Sequence, residues 1–169
     1  MKKIFILISI FIFCITLSAQ DKDDVVKKGD KMPEFQLTSA VNGNVDSKDL
    51  KGKVVLINIF ATWCTPCQLE LAEIKNQLWP KYKDNSNFVM LTVGREHSDE
   101  ELTKYNEKKG FTFPLFPDPA RDFTSKFALK SIPRSYLVDK TGKIIYASIG
   151  FQKKEFENLM NLIEAELNK

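Results

Sequence analysis

Histidine and cysteine are scarce in this sequence. Its 169 residues include one histidine, His97, and three cysteines, Cys14, Cys64 and Cys67. A structural zinc site needs four ligands, and because Cys14 lies in an N-terminal apolar run, carboxylates would have to complete the set. The other two cysteines form a single pair three residues apart, so the chain is not a small scaffold held together by several disulfides. No metal and no other cofactor is therefore expected.

A strong charge of one sign is absent as well. The chain carries 25 basic and 22 acidic residues, which give a formal net charge of +3. Residues 1–19 contain Lys2 and Lys3 and no acidic residue, so the remaining chain has 23 basic against 22 acidic residues. This near-neutral balance gives no reason to expect nucleic-acid binding. The length suits one domain, and the 43% of hydrophobic residues are enough for a core.

The longest apolar run stands at the N-terminus and is short. The chain begins with the basic start MKK, continues with apolar residues 4–17 and then has small residues. A membrane span needs roughly 20 apolar residues, so this pattern predicts a secretory signal peptide over residues 1–19, with an approximate cleavage site. The alternative is an uncleaved anchor formed by residues 4–19. Export would permit a disulfide in the mature chain.

The rest of the chain predicts a short lead-in and one domain. Residues 20–31 are polar and predict a flexible lead-in to a domain over residues 32–169. The letters NGN between two short segments predict a β-hairpin, followed by one helical turn at 47–50. The pattern then predicts strands at 53–60, 87–93, 113–116, 134–139 and 143–150, and helices at 65–82, 98–110, 119–129 and 153–167. This alternation predicts an α/β sheet with a parallel centre and antiparallel strands at one side.

Cys64 and Cys67 follow directly on a predicted buried strand and stand at the start of a helix. Thr65 fits the N-cap position, Pro66 the first helical position and Gln68 the far end of a capping box. Unpaired backbone N–H groups and the helix dipole favour an anion at this end of a helix. Because the thiolate is the reactive form of cysteine, such a position favours thiol chemistry.

Two other uses of the pair fit the sequence less well. Haem attachment needs histidine directly after the second cysteine, where this chain has Gln68. An inert staple would close a minimal loop, whereas stabilisation by a disulfide increases with loop length. The spacing therefore favours a reversible redox pair, with Cys64 as the exposed nucleophile and Cys67 as the buried resolving thiol. Pro66 fixes the turn so that both sulfurs lie on one side.

The segments FATWCTPC and SIPRSYLVDKTGKI resemble the thioredoxin fold. With the predicted signal peptide, the N-terminal hairpin and the spacing CxPCxxE, residues 30–169 are most similar to the exported TlpA/ResA-like thiol-disulfide oxidoreductases. The resemblance implies an α/β, thioredoxin-like domain with a mixed central sheet, helices on both faces and an N-terminal β-hairpin. It also implies that Cys64 and Cys67 form a redox-active disulfide.

The same resemblance implies a client-binding surface. Pro133 matches the family's cis-proline, which packs against the cysteine pair. A cis bond after Ile132 would present the Ile132 backbone to an extended client strand. Trp63 is expected beside the nucleophile as a partly exposed aromatic contact, with simple packing as the alternative. Thr65 and Pro66 are expected to tune the helix start and the redox pair.

Asn58 and Glu70 concern the proton of the resolving thiol. Cytoplasmic thioredoxins have a buried aspartate where this chain has Asn58, which cannot titrate. Glu70 stands three residues after Cys67 and near the same helix face, and ResA-like proteins use a glutamate there as an active-site acid. We expect Glu70 to accept the Cys67 proton, which a raised pKa of a buried carboxylate would support. The alternatives are proton transfer to water and a solvated Glu70.

The resemblance implies a periplasmic enzyme that reduces protein disulfides and is recharged by a membrane electron-donor protein. Cytochrome c maturation and periplasmic thiol homeostasis are the processes that it implies, although the direction of electron flow depends on relative potentials. A thiol peroxidase shares the fold, but peroxiredoxins have threonine three residues before the reactive cysteine, where this chain has Ala61. A non-enzymatic peptide-binding module is the third alternative.

His97 and Arg134 receive no assigned role from the sequence. His97 follows a predicted strand end, where functional loops occur, but a lone histidine before a helix is more often structural or solvated. Arg134 follows Pro133 and is expected either to lie on the surface or to bind an acidic client.

Overall fold

A five-stranded mixed sheet lies at the centre of this computed structural model, which describes residues 23–169. The predicted signal peptide and Cys14 lie outside the described residues. A two-stranded hairpin precedes the sheet. The strands are β1 (Gln36–Ser39), β2 (Gly43–Asp46), β3 (Val54–Phe60), β4 (Phe88–Arg95), β5 (Leu115–Asp118), β6 (Arg134–Val138) and β7 (Ile144–Ile149).

The helices are α1 (Thr65–Glu73), α2 (Trp79–Tyr82), α3 (Asp99–Lys109) and α4 (Lys153–Leu167), with 3-10 turns at Ser47–Leu50 and Thr124–Lys126. A π turn, Ile74–Leu78, joins α1 to α2. In it the Trp79 N–H bonds to the Ile74 carbonyl, and Pro80, which has no N–H, follows. The helix predicted over 65–82 is confirmed, with this widening before Pro80. None of the helices in residues 23–169 is long and apolar enough to cross a membrane.

The sheet has the strand order β5-β4-β3-β6-β7. β3 runs parallel to β4, and β4 runs parallel to β5. β6 runs antiparallel to both β3 and β7. The predicted parallel centre with an antiparallel hairpin at one side is confirmed. Every residue of β3 is buried, as expected for a central strand that is covered on both faces.

Side chains of β3 alternate between two cores. The first core contains Leu56 and Phe60 with buried residues of α1, α3 and α4. The second contains Ile57 and Ile59, and the hairpin and the chain around both 3-10 turns cover it. Helical elements therefore lie on both faces, although these three α-helices share one of them. The domain has the expected thioredoxin-like α/β architecture.

The helix predicted at 119–129 is wrong, because only the 3-10 turn Thr124–Lys126 forms there. Arg121 has a φ of 62°, which lies in the left-handed region and interrupts an α-helix. The buried carboxylate of Asp118 then accepts hydrogen bonds from the Phe123 and Thr124 N–H groups at 3.0 and 2.8 Å. These bonds hold the segment in a turn around Asp118 instead.

The described part of the expected flexible lead-in lies against the domain. Asp24 forms an antiparallel bridge with Ala128, and Lys31 forms one with Lys143. Val26 is buried in the second core. Residues 23–31 therefore differ from the expectation, because they bury an apolar side chain and pair their backbone with the domain.

Candidate active site around Cys64 and Cys67

Cys64 and Cys67 form a disulfide at the point where β3 ends and α1 begins. Their Cα atoms are 5.2 Å apart. Cys67 is completely buried, and Cys64 is only 5% exposed rather than freely accessible as expected. The Cys64 sulfur lies 3.8 Å from the Ile132 carbonyl oxygen, so the loop that carries Ile132 covers much of it. Cys64 is still the more exposed of the two sulfur-bearing residues.

The start of α1 differs from the predicted cap. Cys64 takes the N-cap position, and its Sγ accepts a hydrogen bond from the Cys67 N–H at 3.3 Å. Thr65 is therefore the first helical residue and not the cap, and Gln68 completes no capping box with it. The side chain of Gln68 donates to the Thr62 carbonyl at 3.1 Å instead. A negative charge that develops on the Cys64 sulfur is thus directly stabilised by a helix N–H group.

The predicted cis-proline is present, because the peptide bond between Ile132 and Pro133 is cis. The Pro133 carbonyl accepts a hydrogen bond from the Gly150 N–H at 2.9 Å, which ties this loop to the end of β7. Trp63 is 65% exposed, so its side chain does not pack into the core. Of the predicted client-binding residues, Ile132 thus contacts the Cys64 sulfur through its carbonyl, and Trp63 directly precedes Cys64 in the chain.

A buried polar cluster of three side chains lies behind the disulfide, on the α1 side of the sheet. Glu70 is 4% exposed and accepts hydrogen bonds from Asn58 Nδ2 at 2.9 Å and from Ser135 Oγ at 2.7 Å. Asn58 Nδ2 also donates to Ser135 Oγ at 3.0 Å. Burial raises the pKa of Glu70 to about 7, and the bonds from Ser135 and Asn58 oppose that rise. Glu70 is therefore a buried carboxylate and not a solvated one.

Each member of this cluster comes from a different element. Asn58 on β3 is paired in register with Ser135 on β6, so both point to the same side of the sheet. Glu70 on α1 stands one turn after Cys67 and packs onto that side. No sequence pattern singled out Ser135. The only available signal was its position two residues after the cis-proline, on the face opposite Arg134.

His97 is 6% exposed and holds the loop that leads to Cys64. The Thr62 N–H donates to His97 Nε2 at 3.0 Å, so this nitrogen acts as an acceptor. The backbone of Thr62 is therefore held at both polar groups: its N–H bonds to His97, and its carbonyl accepts from Gln68. The expectation of a structural or solvated histidine is resolved in favour of a structural one. Arg134, 2% exposed, is buried and therefore neither a surface residue nor an open site for an acidic client.

Comparisons with known proteins agree with this geometry. The Redoxin family model matches residues 27–163. The chain is 32% identical to the thiol-disulfide oxidoreductase ResA of Bacillus anthracis over an alignment of 127 residues. This alignment covers 75% of this chain and 72% of that protein. The chain is also 29% identical over 143 residues to the thioredoxin-like protein YneN of Bacillus subtilis, with 83% of each covered.

Solved structures show the same similarity. A putative protein disulfide isomerase from Bacteroides thetaiotaomicron superposes with a TM-score of 0.83 at 32% identity, covering 87% of this chain and 94% of that one. A putative thiol:disulfide interchange protein DsbE from Chlorobium tepidum gives a TM-score of 0.74 at 30% identity, covering 84% and 99%.

Proposed function

We propose that this chain, which belongs to the Redoxin family and is a ResA-like thiol-disulfide oxidoreductase, reduces protein disulfides outside the cytoplasm. The observation that carries the proposal is the pairing of a helix-capping Cys64 with a buried carboxylate, Glu70, behind Cys67. A carboxylate whose pKa is about 7 can accept and release a proton at neutral pH. Asn58, at the position of the thioredoxin aspartate, positions that carboxylate and cannot titrate itself.

The reaction takes two thiol–disulfide exchanges. In the reduced enzyme the Cys64 thiolate attacks one sulfur of a client disulfide. A bond forms between Cys64 and that sulfur, the client disulfide breaks, and the other client sulfur leaves as a thiolate that takes a proton from water. Cys67 then gives its proton to the Glu70 carboxylate, and the Cys67 thiolate attacks the Cys64 sulfur. The bond between Cys64 and the client sulfur breaks, and that sulfur leaves as a thiolate that takes a proton from water. The client leaves with two thiols, and the enzyme keeps the Cys64–Cys67 disulfide and has lost two electrons.

The surface around the disulfide suits an extended client segment. Ile132 is half-buried, and its carbonyl oxygen lies 3.8 Å from the Cys64 sulfur, so a strand that pairs with this backbone would bring its own sulfur to Cys64. Trp63 offers an exposed aromatic face beside the same position. Trp63, Ile132 and Pro133 are therefore the proposed client-binding residues.

Insulin reduction with dithiothreitol as electron donor tests the reaction. We expect the reduced protein to accelerate it, Cys64→Ser to abolish the acceleration, and Cys67→Ser to accumulate mixed disulfides at Cys64. If the protein leaves insulin reduction unchanged but consumes hydrogen peroxide, it is a thiol peroxidase. If Cys64→Ser binds clients and supports function as well as the wild type, it is a non-enzymatic binding module.

The location and the electron donor are further parts of the proposal. The basic start, the apolar residues 4–17 and the small residues after them support a signal peptide over residues 1–19, with a periplasmic product. A membrane electron-donor protein would restore the dithiol, and the clients would include apocytochrome c. Fractionation of cells that express the whole chain, followed by N-terminal sequencing, should find a soluble periplasmic product starting near residue 20. A full-length membrane-bound product would indicate the anchor, and a full-length cytoplasmic one would refute export.

A further inference from the structure

Arg134 directly follows the cis-proline, and its guanidinium binds the backbone of the loop that precedes the proline. Nε donates to the Ser131 carbonyl at 3.1 Å, and Nη2 donates to the Lys130 carbonyl at 3.2 Å. Nη1 forms an ion pair with the carboxylate of Asp24. Each nitrogen of this buried side chain therefore has a partner, and two of the three partners are backbone carbonyls of the loop that carries Ile132 and Pro133.

Asp24 reaches this position because the N-terminal segment lies along the same loop. The Leu129 N–H donates to the Asp23 carbonyl at 2.8 Å, and the Val25 N–H donates to the Phe127 carbonyl at 3.1 Å. Ser131, in the middle of the loop, has a φ of 57°, a conformation that non-glycine residues adopt only when their surroundings hold them there. The backbone contacts and the ion pair supply such surroundings.

We propose that the Asp24–Arg134 ion pair is a positioning device that holds the Ile132–Pro133 backbone in place for an incoming client segment. The inference rests on the proposed function, because it assigns to this loop the task of pairing with a client. Asp24→Asn removes the carboxylate that pairs with this guanidinium among residues 23–169, and a buried charge that loses its partner is strongly unfavourable. Arg134 would then turn toward solvent and release the carbonyls of Lys130 and Ser131.

The positions of the two cysteines are set by other elements. Cys64 and Cys67 are held by the end of β3 and the start of α1, whereas Asp24 and Arg134 lie on the other face of the sheet from Ser135 and Glu70. Loss of the ion pair should therefore weaken the engagement of an extended client much more than the reaction of Cys64 with a small disulfide. The small disulfide needs no pairing with the Ile132 backbone, although the Ile132 carbonyl also lies 3.8 Å from the Cys64 sulfur. A merely stabilising ion pair would change neither quantity in the folded protein.

The test compares Asp24→Asn with the matched control Asp23→Asn in the whole mature chain. The control removes a carboxylate from the neighbouring residue, whose partners include the exposed Lys130 at 3.4 Å, and it keeps the Asp23 backbone carbonyl. We measure KM and kcat for insulin reduction, and the rate at which the reduced protein reacts with a small aromatic disulfide. Asp24→Asn should raise KM about tenfold, as expected when a charged hydrogen-bonding partner is lost. Its kcat should match the wild type, and its rate with the small disulfide should change far less than its KM. Every value for Asp23→Asn should match the wild type.

Two conservative variants keep the inference testable if Asp24→Asn folds poorly. Asp24→Glu retains the charge and should restore a low KM, whereas Arg134→Lys loses the forked contacts with both carbonyls and should raise it. A lower melting temperature with unchanged KM in Asp24→Asn and in Arg134→Lys would overturn the inference, and so would an equal loss of reactivity toward both substrates. If the wild type itself fails to reduce insulin, the proposed function fails instead.

Discussion

Replacing Glu70 with glutamine should change how the stability of the oxidised protein depends on pH. Burial raises the pKa of this carboxyl group from 4.5 to about 7 in the folded protein. Between these two values the folded state keeps a proton that the unfolded state has released. Because the folded state binds more protons in this window, the free energy of unfolding falls as the pH rises from 4.5 to about 7, and the loss is complete above that.

The size of the effect follows from the same two pKa values. One pKa unit corresponds to about 1.4 kcal/mol, so the difference between 4.5 and about 7 amounts to about 3 kcal/mol. Glutamine cannot titrate, and it resembles the protonated carboxyl group in shape and in hydrogen bonding to Asn58 and Ser135. Below pH 4.5 the two proteins should therefore be about equally stable. Above pH 7 Glu70→Gln should be the more stable protein by about 3 kcal/mol.

Urea unfolding of the oxidised proteins across this pH range measures the difference. Glu73→Gln is the matched control, because Glu73 lies on the same helix but is only half-buried and bonds to the side chain of Gln77. The control should keep the wild-type slope between pH 4.5 and 7. If the difference in stability between the wild type and Glu70→Gln is the same at both ends of the range, burial does not control this carboxyl group and the reasoning is refuted.

Three further predictions concern the reaction and the packing beside it. Glu70→Gln should slow the second exchange, so that acid quenching followed by mass spectrometry finds more enzyme–client mixed disulfide than in the wild type. Ser135→Ala removes a hydrogen bond that lowers the pKa of Glu70, so the pH limb of turnover near 7 should move upward by about one unit. Gly94→Ala would place its Cβ 2.6 Å from Leu102 Cδ2 and should destabilise the protein to urea by about 1–3 kcal/mol. Adding Leu102→Ala should relieve the Gly94→Ala clash, and a double-mutant cycle that shows no coupling would contradict it.

Features encoded by nearby residues could be predicted from the sequence. α3 begins with a capping box, in which the Glu101 N–H donates to Ser98 Oγ and the Ser98 N–H donates to Glu101 Oε2, and it ends at Gly110 with a positive φ. The helix predicted at 153–167 forms α4, and its buried residues Phe156, Leu159 and Ile163 recur at helical spacing and lie in the first core. Both depend on contacts within a few residues, which a sequence pattern displays directly.

Features that depend on distant partners could not be predicted in the same way. The partner of Arg134 is Asp24, 110 residues earlier, and the donor Ser135 is 65 residues from Glu70. The failed helix at 119–129 has the same origin, because Asp118, at the end of β5, holds that segment as a turn. The cap of α1 is a local exception, because Cys64 takes the N-cap position predicted for its neighbour Thr65. The wrong predictions thus cluster where tertiary contacts override local preference.

The arrangement around Glu70 supports the proposal that this carboxylate serves as proton acceptor in a chain with Asn58 in place of a buried aspartate. Asn58 and Ser135 are neutral donors, so neither adds a charge that would compete with the carboxylate. Within the described part of the chain, burial makes the largest contribution to the pKa of Glu70 and raises it. The hydrogen bonds from Ser135 and Asn58 make the other contributions and lower it. Dissolved salt screens interactions between exposed charges and has little effect on the contribution that burial makes to a pKa. The acid strength of this group is therefore set by its depth in the core, and a client's charge at the surface has little means of changing it.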